Sequence, residues 1–348
     1  MADPAPVSRA TSGFQAIPQL AELADYTIAF TIRAIADLGI ADHLADGPSR
    51  LADLAAATGT HAPSLLRALR VLVGPGVFAE PEPGLFELTA LGQPLRSDHP
   101  LSMRAAFTLD QHEIAAWACL DSSIRTGEGA FAVAHGQDFW QYLAGAPGAR
   151  AAFHHSQEAM SRLELLAIAR AYDWTALGTL VDVGGGSGAF LAGLLARHRG
   201  LHGIVFDLPD VVAGASAILA EAGVADRCEA AGGSFFDTAI PAGAGGYLLK
   251  RVLYGWDDEH AVGVLAAVRA AMRPGGRLLI FEPVLREGDG LSASMDLLML
   301  TLSAGRVRTP GELTELLGEA GLRVSQLIET RMYPIIEAVP SAPGESGG

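Results

Sequence analysis

One run carries the clearest chemistry in the chain: Val181-Asp182-Val183-Gly184-Gly185-Gly186-Ser187-Gly188. Leu180 to Val183 is a short apolar strand that ends in glycines. At a strand-to-helix turn, glycines let the backbone bend tightly and let a ligand lie against bare main chain. Roughly twenty residues on, after the apolar run Ile204 to Phe206, comes Phe206-Asp207-Leu208-Pro209, and a carboxylate there can accept both hydroxyls of a ribose. Loop and acid together point to an adenosine-type cofactor. A dinucleotide would call for G-x-G-x-x-G, with the helix N-terminus meeting a pyrophosphate. The spacing here is G-x-G-x-G behind an acidic residue, Asp182. That form suits S-adenosylmethionine, whose zwitterionic amino-acid end needs an acceptor and backbone contacts. Two alternatives stay open: NAD, or glycines that merely permit close strand–helix packing beside a solvated Asp207.

The elements that must position these residues follow from periodicity and punctuation. Leu180 to Val183, Ile204 to Phe206, Tyr247 to Leu249 and Leu278 to Phe281 are apolar runs separated by helical stretches. Strands alternating with helices imply an α/β fold, a Rossmann-like doubly wound sheet. Leu322 to Ile328 and Met332 to Val339 are expected to close it as an antiparallel pair. Upstream, Gln19 to Leu44 reads as helices. Ser49 is expected to cap a helix through Thr58 with Gly59 ending it, and Pro63 to open another with Leu65, Leu66, Leu69, Leu72 and Val73 on one face. Two short strands, Val77 to Glu80 and Leu85 to Leu88, follow; helix, helix, hairpin is a winged-helix unit. The expected organisation is a flexible start (1–18), a winged-helix domain (19–102), a helical region (103–172), the sheet domain (173–340) and a disordered tail (341–348).

The segments Leu180 to Gly188, Phe206 to Pro209, Gly232 to Asp237 (GGSFFD), Tyr247 to Asp258 (YLLKRVLYGWDD), Ala270 to Leu279 (AAMRPGGRLL) and Met295 to Leu300 (MDLLML) occur in this order. Together they closely resemble the class I small-molecule O-methyltransferases, a family that includes caffeate-type, acetylserotonin and antibiotic-tailoring enzymes. The resemblance implies that the winged-helix domain dimerises the chain and helps wall the substrate pocket. It also implies that Asp182, Gly184, Gly186, Asp207, Leu208, Ser234, Phe235 and Lys250 bind S-adenosylmethionine, leaving S-adenosylhomocysteine as product. Ser234 stands where relatives often have Asp. Phe153, Gln157 and Met160, at i, i+4 and i+7 of one helix face, are expected with Trp256, Asp296 and Met299 to line a small aromatic substrate. For Phe153 and Met160 plain core is an equal reading, for Trp256 a core tryptophan is a fair one, and Asp296 is equally suited to a structural role.

The same resemblance exposes a departure. Relatives carry His-Asp-Trp, with His the general base, where this chain has Tyr254-Gly255-Trp256; the Glu that orients that base becomes Val307, while Glu282 is retained. Tyrosine, with an ordinary pKa near 10, is a poor base. Tyr254 and Glu282 remain the catalytic candidates, and His112, His154 and His155 are weighed as substitute bases against ordinary surface roles. The expected chemistry is proximity-driven methyl transfer to an acidified phenol or hydroxyquinone. N-methylation of an aromatic amine is a variant, and a homologue that binds the cofactor without methylating is a rival.

Bulk composition narrows the partners. The chain of 348 residues carries 24 basic and 39 acidic residues, a formal net charge of −15 at pH 7. That sign disfavours nucleic-acid phosphates and anionic membranes, and with them a winged-helix regulator. Cys119 and Cys228 show no metal-ligand spacing, no metal is expected, and a reducing cytoplasm is the default. No leader peptide or membrane span is expected at the N-terminus or elsewhere.

Overall fold

The computed structural model describes residues 13–108 and 110–342, with side chains from residue 16 onward. Most of the expected flexible start, and the end of the expected tail (343–348), lie outside the described residues. The chain divides into two compact units, Met1–Leu109 and Asp110–Gly348.

In the first unit α1 (Gly13–Ala24) and α2 (Thr27–Asp37) precede β1 (Ser49–Arg50), α3 (Leu51–Thr58), α4 (Ala62–Val73), β2 (Phe78–Glu82) and β3 (Leu85–Leu88). The strands form a three-stranded sheet in the order β1-β3-β2. Gly59 ends α3 in the left-handed conformation, and proline sits in the first turn of α4. Leu65, Leu69 and Leu72 pack on Phe78 and Phe86 to make a small core. Ser49 does not cap α3: it pairs with Phe86 across β1 and β3, and Arg50 takes the cap position without a side-chain bond.

The second unit opens with five helices: α5 (Gln111–Trp117), α6 (Leu120–Thr126), α7 (Ala130–His135), α8 (Phe139–Gly145) and α9 (Pro147–Ile168). Asp110 and Asp138 cap α5 and α8, left-handed Gly127 and Gly136 terminate α6 and α7, and Pro147 starts α9. This punctuation breaks the helical region into short pieces before one long rod.

Then follow β4 (Thr179–Val183), α10 (Ala189–Arg197), β5 (His202–Asp207), α11 (Pro209–Val212), α12 (Ala215–Glu221), β6 (Cys228–Gly232), β7 (Gly246–Lys250), α13 (Asp258–Ala271), β8 (Arg277–Phe281), α14 (Gly290–Leu302), α15 (Pro310–Glu319), β9 (Leu322–Ile328) and β10 (Ile335–Pro340). The seven-stranded order is β6-β5-β4-β7-β8-β10-β9, with β10 antiparallel to β8 and β9. From β4 the chain runs outward to β5 and β6, then crosses back to β7. The order therefore reverses between β4 and β7, where such sheets open a ligand crevice at the carboxyl ends of the strands.

Register sets the contents of that crevice. Val183 lies opposite Phe206 on one side and Leu249 on the other, so Gly184, Asp207 and Lys250 emerge around one point. Alternation along the strands sends Val181, Val183, Tyr247 and Leu249 into the core with α13 and α15. Leu180 and Leu248 go to the opposite core, with α9, α10 and α12.

Candidate active site

The glycine loop is stapled to the end of β5. Gly184 N–H donates to the Phe206 carbonyl at 2.8 Å, and Gly186 N–H donates to Asp207 Oδ2 at 2.8 Å. Leu208 N–H donates to Asp207 Oδ1 at 2.7 Å. Burial raises the Asp207 carboxyl while these N–H groups pull it back toward the charged form. Each oxygen keeps lone pairs for further donors. Gly184 and Gly186 have φ of +73° and +62°. A Cβ on Gly184 would come within 2.8 Å of Val252 Cγ2, whereas one on Gly186 would meet open space.

One face of α9 borders this crevice. Ser187 Oγ donates to Glu158 Oε1 at 2.6 Å, and His154 bears electrostatically on Asp207. Further along, Lys250 Nζ donates to Ser161 Oγ at 3.1 Å and to Glu164 Oε2 at 3.0 Å, and sits 5.1 Å from the Phe190 ring centroid. Arg251 Nε pairs with Glu164 Oε1 at 2.7 Å, although neither atom finds an aligned hydrogen bond. Arg251 is held at φ +57°, a left-handed conformation that costs a non-glycine residue about 1–2 kcal/mol.

Asp182 is fully buried, with both carboxylate oxygens lacking a hydrogen-bond partner. Burial pushes its carboxyl from the ordinary 3.8 up to about 7, against the pull of Lys250 and with help from Asp207 and Glu164. Unpaired buried carboxylates are costly, and this one lies beneath the bare loop: a Cβ on Gly185 would come within 2.9 Å of its Cγ. An orphaned acceptor, open main chain and a carboxylate with lone pairs to spare fit an adenosyl sulfonium with an amino-acid tail.

The sign of the pH effect follows from this arrangement. A cation entering beside Asp182 favours its ionised form, so S-adenosylmethionine binding should expel a proton and tighten as pH rises from 6 to 8. Without ligand, a carboxyl whose folded value is raised loses its stabilising contribution as pH climbs from about 4 through about 7. Calorimetry in two buffers of different ionisation enthalpy checks this: release of up to about three-quarters of a proton per site is expected at pH 6.5, and none would refute it.

At the position of the relatives' base stands a buried phenol. Tyr254 packs with Met299 and Val307 in one buried cluster, and burial pushes its phenol up to about 12 despite the nearby Arg251 charge. Glu282 Oε2 accepts from Leu253 N–H at 3.1 Å and Tyr254 N–H at 3.3 Å, so it props the backbone of that turn; burial lifts its carboxyl to about 7. Arg308 clasps the same turn, donating to the Leu253 and Trp256 carbonyls at 3.0 and 2.9 Å. Asp296 accepts from Val307 N–H at 2.7 Å, which takes up the structural role left open for it.

Aromatic rings enclose the neighbouring space. Trp256 stacks on Trp140 with centroids 5.7 Å apart, Phe153 meets Trp140 edge-on at 6.0 Å, and Phe235 meets Trp256 edge-on at 6.0 Å. Gln157 and Met160 are half-buried on α9 with Phe153. Ser234 Oγ accepts from Phe236 N–H at 3.2 Å, so its hydroxyl serves its own turn, and Leu208 is 48% exposed. His112 is half-exposed and bonded to Tyr142 at 3.0 Å, and His155 faces Glu158 at 3.8 Å. Neither is placed against Tyr254. Glu158, Ser161, Glu164, Arg251, Arg308 and Trp140 were not among the site residues expected from sequence. Only the Lys-Arg pair following an apolar strand carried a local signal. Among the described residues, no group of three or more His, Cys, Asp or Glu is arranged for a metal ion, and no helix is long and apolar enough to cross a membrane.

Comparison with known proteins adds to this geometry. The O-methyltransferase dimerisation domain model matches residues 21–98, and the O-methyltransferase domain model matches residues 117–323. The 2,7-dihydroxy-5-methyl-1-naphthoate 7-O-methyltransferase of Streptomyces carzinostaticus is 40% identical over 91% of this chain and 96% of its own length. The phenazine O-methyltransferase of Lysobacter antibioticus is 38% identical over 90% and 93%. An O-methyltransferase from neocarzinostatin biosynthesis, crystallised with S-adenosylmethionine and 2-hydroxy-5-methyl naphthoic acid, superposes with a TM-score of 0.80 at 38% identity, covering 95% of this chain and 99% of that one.

Proposed function

Because the chain belongs to the S-adenosylmethionine-dependent O-methyltransferase family, we propose that it methylates an acidic hydroxyl of a planar aromatic metabolite without a protein general base. The observation that carries this is the buried Tyr254, packed with Val307 where the relatives' base pair would stand, its phenol at about 12. A group so far above neutrality takes no proton from an acceptor at pH 7. The acceptor must therefore arrive as a phenolate or a readily ionised hydroxyquinone.

In this reading Gly184, Gly186 and Asp207 hold the adenosyl part, with Leu208, Ser234 and Phe235 bordering the adenine. Asp182 and Lys250 flank the amino-acid tail. When bound, the cofactor supplies a methyl carbon on a positively charged sulfur: an oxygen lone pair makes the new C–O bond and the C–S pair returns to a neutral thioether. Phe153, Gln157, Met160, Trp256 and Met299 orient the acceptor and exclude water, while Glu282 and Arg308 fix the turn that presents Tyr254 and Trp256. The substrates for which those relatives are named, a dihydroxynaphthoate and a phenazine, support this acceptor class. The match to a dimerisation domain and the exposed apolar residues of α1 and α2 support a homodimer.

The test uses methyl-labelled cofactor with hydroxynaphthoates and hydroxyphenazines. A methylated product is expected, and Tyr254→Phe should keep at least a tenth of turnover. Absence of any methylated product across the set, or near-total loss in Tyr254→Phe with intact cofactor binding, would refute the proposal.

A further inference from the structure

The geometry points to Glu164 as a positioning residue that sets the charge balance of the crevice, favouring the cationic methyl donor over its neutral thioether product. This rests on the reading that places the donor's amino-acid end beside Lys250. Glu164 lies on α9 with no exposed surface, and Lys250 and Arg251 are each only 9% exposed. The two cations are consecutive in sequence, and they share this one carboxylate at 3.0 and 2.7 Å. Lys250 is also the only lysine in the chain. The other groups gathered here are Ser161 on α9, Phe190 on α10, Asp182 on β4, Tyr254 and Tyr333. Asp182 is the second carboxylate acting on Lys250, while Glu282 acts on Tyr254 and Asp207 on Asp182.

A buried carboxylate costs several kcal/mol to desolvate and is sustained only by good partners. Here it offsets two neighbouring buried cations beside the crevice that, in this reading, a third positive charge enters. Methyl transfer removes that third charge. The local field therefore acts on donor and product differently, whereas packing and hydrogen bonds to their shared adenosine act on both alike. A unit charge acting over about 10 Å at an effective dielectric near 20 alters an equilibrium by roughly tenfold. Glu164 thus helps the site load donor and discharge product, and its loss should make the thioether a stronger inhibitor.

The experiment is calorimetric titration of the full chain with S-adenosylmethionine and S-adenosylhomocysteine at pH 8.5, where Asp182 is ionised. In Glu164→Gln the ratio Kd(donor)/Kd(product) should rise about tenfold over the unsubstituted protein. In Arg251→Gln, which removes one of the cations, the ratio should move the opposite way. A merely structural role would weaken both ligands together and leave the ratio unchanged, which would overturn the inference. Should Glu164→Gln fail to fold, Arg251→Gln alone decides, and an unchanged or raised ratio overturns it. If the unsubstituted protein binds neither ligand, the cofactor reading itself fails.

Discussion

Replacing Asp207 by Ala should lower affinity for S-adenosylmethionine by at least about 100-fold while leaving the fold intact. Hydrogen bonds to a charged group contribute about 1.5–3 kcal/mol each. Two ribose hydroxyls on one carboxylate therefore amount to two or more powers of ten in affinity. Within the protein the carboxylate also accepts the Gly186 and Leu208 N–H groups. Both belong to the loop around the crevice and have water as an alternative acceptor once the carboxylate is gone. The melting temperature of the ligand-free variant should consequently fall by only a few degrees. Calorimetry and thermal shift, with and without cofactor, separate the two effects. Affinity within fivefold of the unsubstituted protein would remove Asp207 from the site, and binding of a nicotinamide dinucleotide in its place would remove the cofactor assignment.

Leu20→Asp with Leu23→Asp should convert a dimer into a monomer at about 10 μM chain. Ile17, Leu20 and Leu23 recur at three-residue steps on α1 and are 68, 69 and 78% exposed, and Tyr26, Ile28 and Phe30 continue the apolar surface toward α2. An apolar stretch of that extent is a liability on a free surface and a common mark of an interface. Two carboxylates placed there would have to be desolvated without partners on association, at several kcal/mol. Because the side chains are exposed within their own chain, the fold should not suffer. Light scattering after gel filtration should give half the unsubstituted mass with unchanged far-ultraviolet dichroism. A monomeric unsubstituted protein, or a dimer that survives both substitutions, would count against the α1 face.

What the sequence disclosed follows physical lines. The β4 strand and its loop were legible because an apolar run ends in glycines, and only a strand followed by a tight turn satisfies both. Strand β6 was not: Cys228–Gly232 reads Cys-Glu-Ala-Ala-Gly, and as an edge strand it is largely exposed and needs no apolar run. Ser49 looked like a helix cap by type alone, and pairing with β3 prevailed over that local preference. At the base position, sequence showed two losses, Tyr254 and Val307, but not that the two side chains meet. Glu164 was invisible for a similar reason. On a helix it is an ordinary residue, and its partners Lys250 and Arg251 lie on a strand end more than eighty positions away. Asp296 carried no signal that distinguished a wall residue from a bond to Val307 N–H.

The long rod α9 presents two stripes at once: Glu158, Ser161 and Glu164 toward the glycine loop and strand β7, and Phe153 toward Phe139 and Trp140. Each residue added to a helix advances its surface by about 100°. A single insertion between positions 153 and 164 would therefore swing every later side chain onto the wrong side. Divergence of acceptor choice along this rod is thus confined to exchanges of one residue for another, and the length of the segment should stay fixed while its chemistry drifts.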